Sequence, residues 1–138
     1  MEQVAARDTE ASMDQPSITM SREARTLRVA VRGVASLDAT IAYWRAIVEE
    51  SLRDRPDYIL LVDELRGPAL GEAEWQQLVD MLVGKGLEAV RIAHVKPNGL
   101  DAVEYCELSA RQRGFEARVF TEERAAALWL RYGERPDD

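Results

Sequence analysis

The side chains with the clearest chemical potential are one carboxylate and the only histidine of the chain. Asp63 directly follows an apolar run at residues 58–62, and His94 lies near the end of a second apolar segment, residues 89–95. A carboxylate that orients an imidazole is a common acid–base arrangement, because histidine titrates near neutral pH. Both residues are expected at the carboxyl edge of a sheet, where open α/β folds bind ligands. They form the candidate acid–base pair.

An enzyme of this kind would also need a nucleophile or a bound cofactor. Ser36 and Cys106 are the nearest nucleophile candidates by chain position, and neither lies in an activating motif. Cys106 has Glu104 and Glu107 nearby and no cation close in sequence, so we expect an inert thiol. The simpler interpretation gives Asp63 a turn-capping role. The sequence therefore predicts a protein that is not an enzyme.

Metal and cofactor binding have no support in the spacing of residues. One histidine and one cysteine on different elements do not provide the ligand spacing of a zinc site. The glycines match neither the Walker pattern nor the dinucleotide fingerprint. We predict that the protein has no metal and no cofactor.

Charge and composition narrow the classes of partner. A formal net charge of −7 argues against nucleic-acid binding, which requires a basic face. No apolar run is long enough to span a membrane, and the first residues lack the apolar core of a secretion signal. A single cysteine cannot form an intrachain disulfide, which suits a reducing compartment. These features predict a cytoplasmic protein.

The elements that must position these residues alternate between strands and helices. The run at residues 58–62 is apolar on both alternating faces, so it requires cover on both sides, as an inner strand of an α/β sheet has. Amphipathic helical patterns flank it at residues 37–52 and 71–83. The other predicted strands are residues 18–20, 27–32, 89–95 and 117–120, and the other predicted helices are residues 100–112 and the segment after Thr121.

This order, ββαβαβαβα, predicts an α/β fold. We expect a single mixed, mostly parallel sheet with an antiparallel N-terminal hairpin, because strand-helix-strand units of this length make parallel pairs. A chain of 138 residues fits one domain with its own core. The predicted division is a flexible leader at residues 1–16, one domain at residues 17–132 and a polar tail at residues 133–138.

Apolar spacing within the helices predicts which side chains are buried. Ser36 and Thr121 are the predicted N-caps of the first and last helices. Tyr43 is expected at the surface or at a pocket rim, because it does not share the face of Trp44. The predicted buried faces are Leu37, Ile41, Trp44, Val48 and Leu52; Trp75, Leu78, Val79, Leu82 and Val83; Leu100, Val103, Glu107 and Ala110; and Ala125, Leu128, Trp129 and Tyr132.

The segment Leu-Val-Asp-Glu-Leu-Arg-Gly at residues 61–67 resembles the strand ending in Asp-Leu-Ser-Gly of STAS domains, the fold of anti-sigma-factor antagonists. The closing segment, residues 119–130, looks like the last strand and helix of the STAS-like branch, which is related in fold to CRAL-TRIO lipid-transfer domains. The resemblance covers residues 18–132. It implies a bacterial-style regulatory module that docks a protein partner through the loop after the central strand.

One part of the family pattern is missing. Classical STAS members carry a phosphorylatable serine or threonine at the start of the helix after that strand, whereas this chain has neither residue type from position 63 to position 83. The phosphorylation switch is therefore not carried over. Glu72 and Glu74 occupy this helix start, and the simpler interpretation is that carboxylates suit a first turn. Phosphate mimicry by one of them is the alternative.

Three functional hypotheses follow from the sequence. The first and preferred hypothesis is a protein partner bound by Asp63, Glu64, Arg66, Gly67, Gly71, Glu72 and Glu74. The second is a cleft for a lipid or another small apolar ligand, with Tyr43, His94 and Asn98 as candidate lining residues. The third is an acid–base enzyme built on Asp63 and His94. Homodimer formation stays open under each hypothesis.

Overall fold

One five-stranded sheet carries the fold of the computed structural model, which describes residues 15–101 and 103–133. The strands follow chain order across the sheet; the first pair is antiparallel and the other pairs are parallel. The α/β fold with a single mixed sheet is confirmed. The strands are β1 (Ser17–Glu23), β2 (Thr26–Val34), β3 (Tyr58–Arg66), β4 (Arg91–Val95) and β5 (Glu116–Phe120). The helices are α1 (Leu37–Arg53), α2 (Glu72–Leu82), α3 (Tyr105–Gln112) and α4 (Glu123–Tyr132), with a 3-10 turn at Leu87–Ala89.

The predicted leader and tail lie outside the described residues, apart from residues 15, 16 and 133. Within the described ranges, no helix combines the length and the apolar character needed to cross a membrane.

The strand predicted to be central lies in the middle of the sheet, between β2 and β4. Ile59 and Leu61 face one side of β3, and Leu60 and Val62 face the other. All four side chains are at most 6% exposed. This burial on both faces explains the unbroken apolar run, because a strand with one wet face would alternate with polar residues.

Helices cover the two faces of the sheet unequally. Side chains from α1, α2 and α3 join one large core, whereas α4 alone covers the opposite face over β3, β4 and β5. Trp44, Trp75 and Trp129 are all buried, which confirms their prediction as core residues. On β1, Ser17 and Thr19 lie on the face of the sheet that α4 covers elsewhere, and both are exposed. This exposure of one face explains the alternating pattern of the first hairpin.

The buried face of α1 differs from the predicted one. Ser36 is the N-cap, as predicted, and its Oγ accepts a hydrogen bond from the Ala39 N–H at 3.0 Å. Tyr43, expected near the surface, is only 1% exposed, whereas Leu52, expected in the core, is 70% exposed. Neighbouring helical positions are about 100° apart, and α1 lies on a broad surface of the sheet, so Tyr43 and Trp44 are both covered.

The later helices also depart from their predicted faces. Helix α3 begins at Tyr105 rather than at residue 100, because the Glu104 carboxylate accepts the backbone N–H of Asp101 at 2.6 Å and stabilises a turn there. Leu100 and Val103 consequently lie outside the helix and are each 47% exposed. Val83 is the C-cap of α2 and is 46% exposed, not part of the core.

Helix α4 buries a face one residue away from the predicted one. Its N-cap is Glu122, without a side-chain capping bond, so the prediction of Thr121 as the cap is wrong. The predicted Leu128 and Tyr132 are 53% and 71% exposed, and Ala125 is also exposed. The sheet determines which face of α4 is buried, because its apolar side contacts a narrow i, i+3, i+4 stripe of the helix. The stripe consists of Ala126, Trp129 and Leu130.

Candidate functional site

The carboxyl edge of the sheet brings Asp63 and His94 together although they are 31 positions apart. Asp63 Oδ2 and His94 Nε2 are 2.8 Å apart, and the two side chains are 13% and 6% exposed. The second carboxylate oxygen accepts the Leu65 N–H at 3.1 Å, so Asp63 also holds the backbone two residues further along β3. Trp75 packs edge-on against the imidazole, with 6.3 Å between ring centroids. The predicted pair is therefore formed, and both side chains are largely shielded from solvent.

Both members of this pair are charged at neutral pH. Burial alone would lower the pKa of His94, but the hydrogen bond and charge of Asp63, with a further contribution from Cys106, raise it to about 9. Burial would likewise raise the pKa of Asp63, but the hydrogen bond and charge of His94 hold it below its usual value. Because His94 is already protonated, it can donate a hydrogen bond but cannot accept a proton as a general base.

The single histidine makes this protonation state directly measurable. We expect the imidazole signals of the folded chain to titrate with a pKa of about 9 in NMR spectra. In concentrated urea the same signals should titrate near about 6.5, the value of an unperturbed histidine. A pKa at or below the unfolded value in the folded chain would show that the Asp63–His94 pair does not form in solution.

A second charged pair and a thiol extend the site. Lys96 Nζ donates to Glu104 Oε1 at 2.6 Å, and these two side chains are 13% and 12% exposed. The Cys106 thiol donates to the same carboxylate oxygen at 3.6 Å, and Cys106 also contributes to the raised pKa of His94. We call Asp63, His94, Lys96, Glu104 and Cys106 the inner polar cluster.

The inertness of Cys106 stays a prediction, but the expectation that no cation lies near it is wrong, because this cluster contains two. Its two cations, His94 and Lys96, belong to β4 and to the residue directly after it, and Cys106 lies in the first turn of α3. Sequence reasoning missed the contact because only the nearest residues were considered as neighbours. The signal that would have found it is topological: a helix start that follows a strand end lies over the carboxyl edge of the sheet.

A pocket of about 270 Å³ opens above the inner polar cluster. Its floor includes Asp63, Lys96 and Tyr43, and Asn98 lies in its wall. Burial, followed by the charge of Asp63, raises the pKa of the Tyr43 hydroxyl well above its usual value, so this group stays neutral. Two of the three predicted cleft residues, Tyr43 and Asn98, thus line one pocket, whereas the third, His94, is not among its lining residues.

The predicted partner-binding residues lie along the same edge. Arg66 and Gly67 are exposed at the end of β3, and Glu64 pairs with Arg32 on the neighbouring strand β2 at 2.6 Å. An adjoining pocket of about 440 Å³ is lined by Arg32, Glu64, Arg66 and Asn98. The Asn98 side chain therefore separates two concave surfaces.

The start of α2 is capped by the side chain of Glu74. The Gly71 N–H donates to Glu74 Oε1 at 2.9 Å, as in a capping box. Glu74 is therefore explained by helix capping, which agrees with the simpler interpretation of its charge. Glu72 is exposed, and Gln76 donates a long hydrogen bond of 3.5 Å to its carboxylate.

Within residues 15–101 and 103–133, no group of three or more histidine, cysteine or acidic side chains is placed to hold a metal ion. Neither a protein-family model nor a curated protein matches this sequence. The STAS-like resemblance therefore stays a prediction, and functional inference relies on the geometry of the carboxyl edge.

Proposed function

We propose that the protein is a non-catalytic regulatory module that binds a protein partner through the carboxyl edge of its sheet. The observation that carries the proposal is a set of exposed apolar residues around the 270 Å³ pocket, namely Pro68, Ala69 and Leu100. Val34, 69% exposed, lies at the adjoining pocket. We call these four residues the apolar rim. Clustered apolar exposure next to concave surfaces is typical of interaction sites.

The charges next to the apolar rim indicate the chemistry of the partner. Glu72 and Asp101 are exposed and acidic, and the chain as a whole carries a net charge of −7. Arg66 and Arg32 are the exposed basic residues at the adjoining pocket, and Arg32 is paired with Glu64. A partner surface with an apolar centre and basic residues around it would match this arrangement. The STAS-like resemblance supports the same loop as a docking site and requires no phosphorylated residue in this chain.

The state of the ionisable groups supports binding rather than acid–base catalysis. Asp63, His94, Lys96 and Glu104 each have an internal partner, and the imidazole is protonated at neutral pH. A general base must be unprotonated and within reach of its substrate. His94 is protonated and its side chain is 6% exposed, so it meets neither condition.

The test compares two arginine substitutions at exposed alanines, Ala69→Arg on the rim and Ala127→Arg on the solvent side of α4. Proteins captured by the full chain from cells of its source would be purified and titrated calorimetrically with each variant. We expect Ala69→Arg to weaken binding by roughly tenfold or more, because a charge replaces a desolvated apolar contact, and Ala127→Arg to bind like the wild type. Equal affinities, or the lack of any protein that binds in purified form, would contradict the proposal.

A small-molecule ligand is the second candidate, favoured by the pocket itself. Trp75 and Leu70 contribute apolar walls, while Lys96 and Asp63 contribute a charged floor. This lining suits a small molecule with a polar group better than the wholly apolar ligand suggested by the sequence. Native mass spectrometry of protein purified from cells separates the two candidates, because a retained small molecule adds a defined mass.

A further inference from the structure

The two edge strands of the sheet, β5 and β1, differ in how their outer backbone groups are satisfied. At β5, side chains of α3 bond the groups that point away from β4. Arg111 Nε donates to the Ala117 carbonyl at 2.9 Å, and the Val119 N–H donates to Glu107 Oε1 at 2.8 Å. We call these two contacts the α3 clasp. A further strand could pair with β5 only by displacing the clasp, so this edge is protected.

The opposite edge strand, β1, has no comparable clasp within the described residues. It pairs with β2 on one side only, in a continuous register from Ser17 with Arg32 to Glu23 with Thr26. Natural edge strands are commonly shortened, bulged or interrupted by proline or lysine, which prevents pairing with another chain. β1 has seven residues and none of these features, and only its last two residues are charged. A row of backbone donors and acceptors is therefore left along its outer side.

We propose that β1 pairs with β1 of a second copy of this chain, antiparallel about a two-fold axis, so that the two five-stranded sheets join into one continuous sheet. The same strand of both copies is used, so the assembly closes after two chains. The α3 clasp at both outer β5 strands then stops further growth. This inference is independent of the proposed function, because β1 lies at the side of the sheet and the apolar rim at its carboxyl edge.

The sequence of β1 is complementary to itself on the exposed face of the sheet. The antiparallel register that pairs all seven residues places Ser17 opposite Glu23, and Thr19 opposite Ser21, of the second copy. No like charges lie opposite each other in these pairs, and hydroxyl pairs stabilise adjacent strands. Arg32 lies beside Ser17 on the same face. The Glu23 carboxylate of one copy thus comes one strand away from an arginine of the other, which favours a second copy as the occupant.

The opposite face of this register is apolar at its centre. Met20 lies opposite itself, and Ile18 lies opposite Arg22 of the second copy. Ile18 and Met20 are only partly buried against the large core of one chain, so pairing removes more of their apolar surface from water. Arg22 Nη2 bonds to Glu50 Oε2 of α1 at 3.0 Å, so its charge is balanced within its own chain. Backbone hydrogen bonds and apolar burial therefore act together, as in other cases of strand addition.

The test measures the molar mass of the full chain by sedimentation equilibrium over a series of concentrations. We expect a reversible equilibrium between one chain and two. Hydrogen exchange on the same samples reports the edge directly, because the outward N–H groups of β1 gain partners only when two copies pair. These amides should exchange more slowly as the fraction of dimer rises.

Two double substitutions at exposed positions assign the dimer to β1. T19E–S21E places carboxylates opposite each other twice across the two-fold axis, and we expect it to weaken dimerisation by roughly tenfold or more. T19K–S21E is the matched control, because the same positions then carry opposite charges. We expect this variant to dimerise at least as strongly as the wild type. Circular dichroism checks that both variants fold.

Four results would overturn the proposal. A wild type that stays monomeric at every concentration, or one that forms assemblies larger than two chains, would contradict a closed pair. Equal dimerisation of the two variants would show that another surface holds the chains together. Slow exchange of the outer β1 amides in a monomer would show that another segment of the same chain covers this edge. If a variant does not fold, the concentration dependence of exchange in the wild type decides.

Discussion

Replacing Trp75 with alanine is expected to lower the free energy of unfolding by about 3–5 kcal/mol, the range for large aromatic side chains in packed cores. Trp75 is 6% exposed, and its indole packs in the large core and against the edge of the His94 ring. Truncation would remove this apolar contact and leave a cavity next to a charged pair. Urea unfolding followed by circular dichroism measures the loss.

A matched control for this substitution is Leu128→Ala on α4, where the side chain is 53% exposed. Its unfolding free energy should change by less than about 0.5 kcal/mol, as for other surface sites. If Trp75→Ala were as mild as this control, the indole would not be a core residue and α2 would not be packed as described.

The substitution Asp63→Asn is expected to have the second large effect, because it leaves the buried imidazole of His94 without a countercharge. A folded pKa of about 9 against an unfolded value of about 6.5 corresponds to about 3 kcal/mol at most. The stabilisation from protonated His94 is complete below about pH 6.5 and disappears as the pH rises through about 9. The loss caused by Asp63→Asn should therefore be large near pH 6 and small near pH 10.

The neighbouring carboxylate provides the control for this pH dependence. Glu64 pairs with Arg32 at 2.6 Å, but the side chains are 36% and 74% exposed. Glu64→Gln should cost under about 1 kcal/mol, because solvent screens exposed ion pairs. A loss for Asp63→Asn that stays constant from pH 6 to pH 10 would mean that His94 is not the group that the carboxylate stabilises.

The sheet could be predicted because its information is local. The apolar run at residues 58–62 needs cover on both faces, and the order of elements around it permits few arrangements. The contact between Asp63 and His94 follows from the same logic, since residues at the ends of adjacent parallel strands meet at one edge. No catalytic motif was required to place them together.

The helix faces could not be predicted equally well, because each helix has more apolar residues than the core can accept. Leu52, Leu128 and Tyr132 all satisfy helical spacing, yet each is more than half exposed. Which stripe is buried depends on the angle at which a helix meets the sheet, and this angle is determined by the other elements. The same limitation explains why Tyr43, predicted at the surface or at a pocket rim, is buried while it lines a pocket.

Only part of the inner polar cluster could be predicted from the sequence, for a related reason. Lys96, Glu104 and Cys106 meet because α3 begins only at Tyr105 and the Asp101 N–H bonds to the Glu104 carboxylate. Hydrogen bonds to the Glu104 carboxylate determine where α3 begins, and the spacing of hydrophobic residues does not reveal such hydrogen bonds.

The coverage of the sheet by α4 has a consequence for how the protein behaves when it opens locally. Among the described elements, this ten-residue helix is the one that shields Leu60, Val62, Ala93 and Val95 from water. If α4 detached while the rest of the sheet stayed intact, a flat apolar strip would be presented to other molecules of the same chain. Resistance to self-association at high concentration or temperature would then depend on how firmly this short segment stays docked, and less on the stability of the large core behind the sheet.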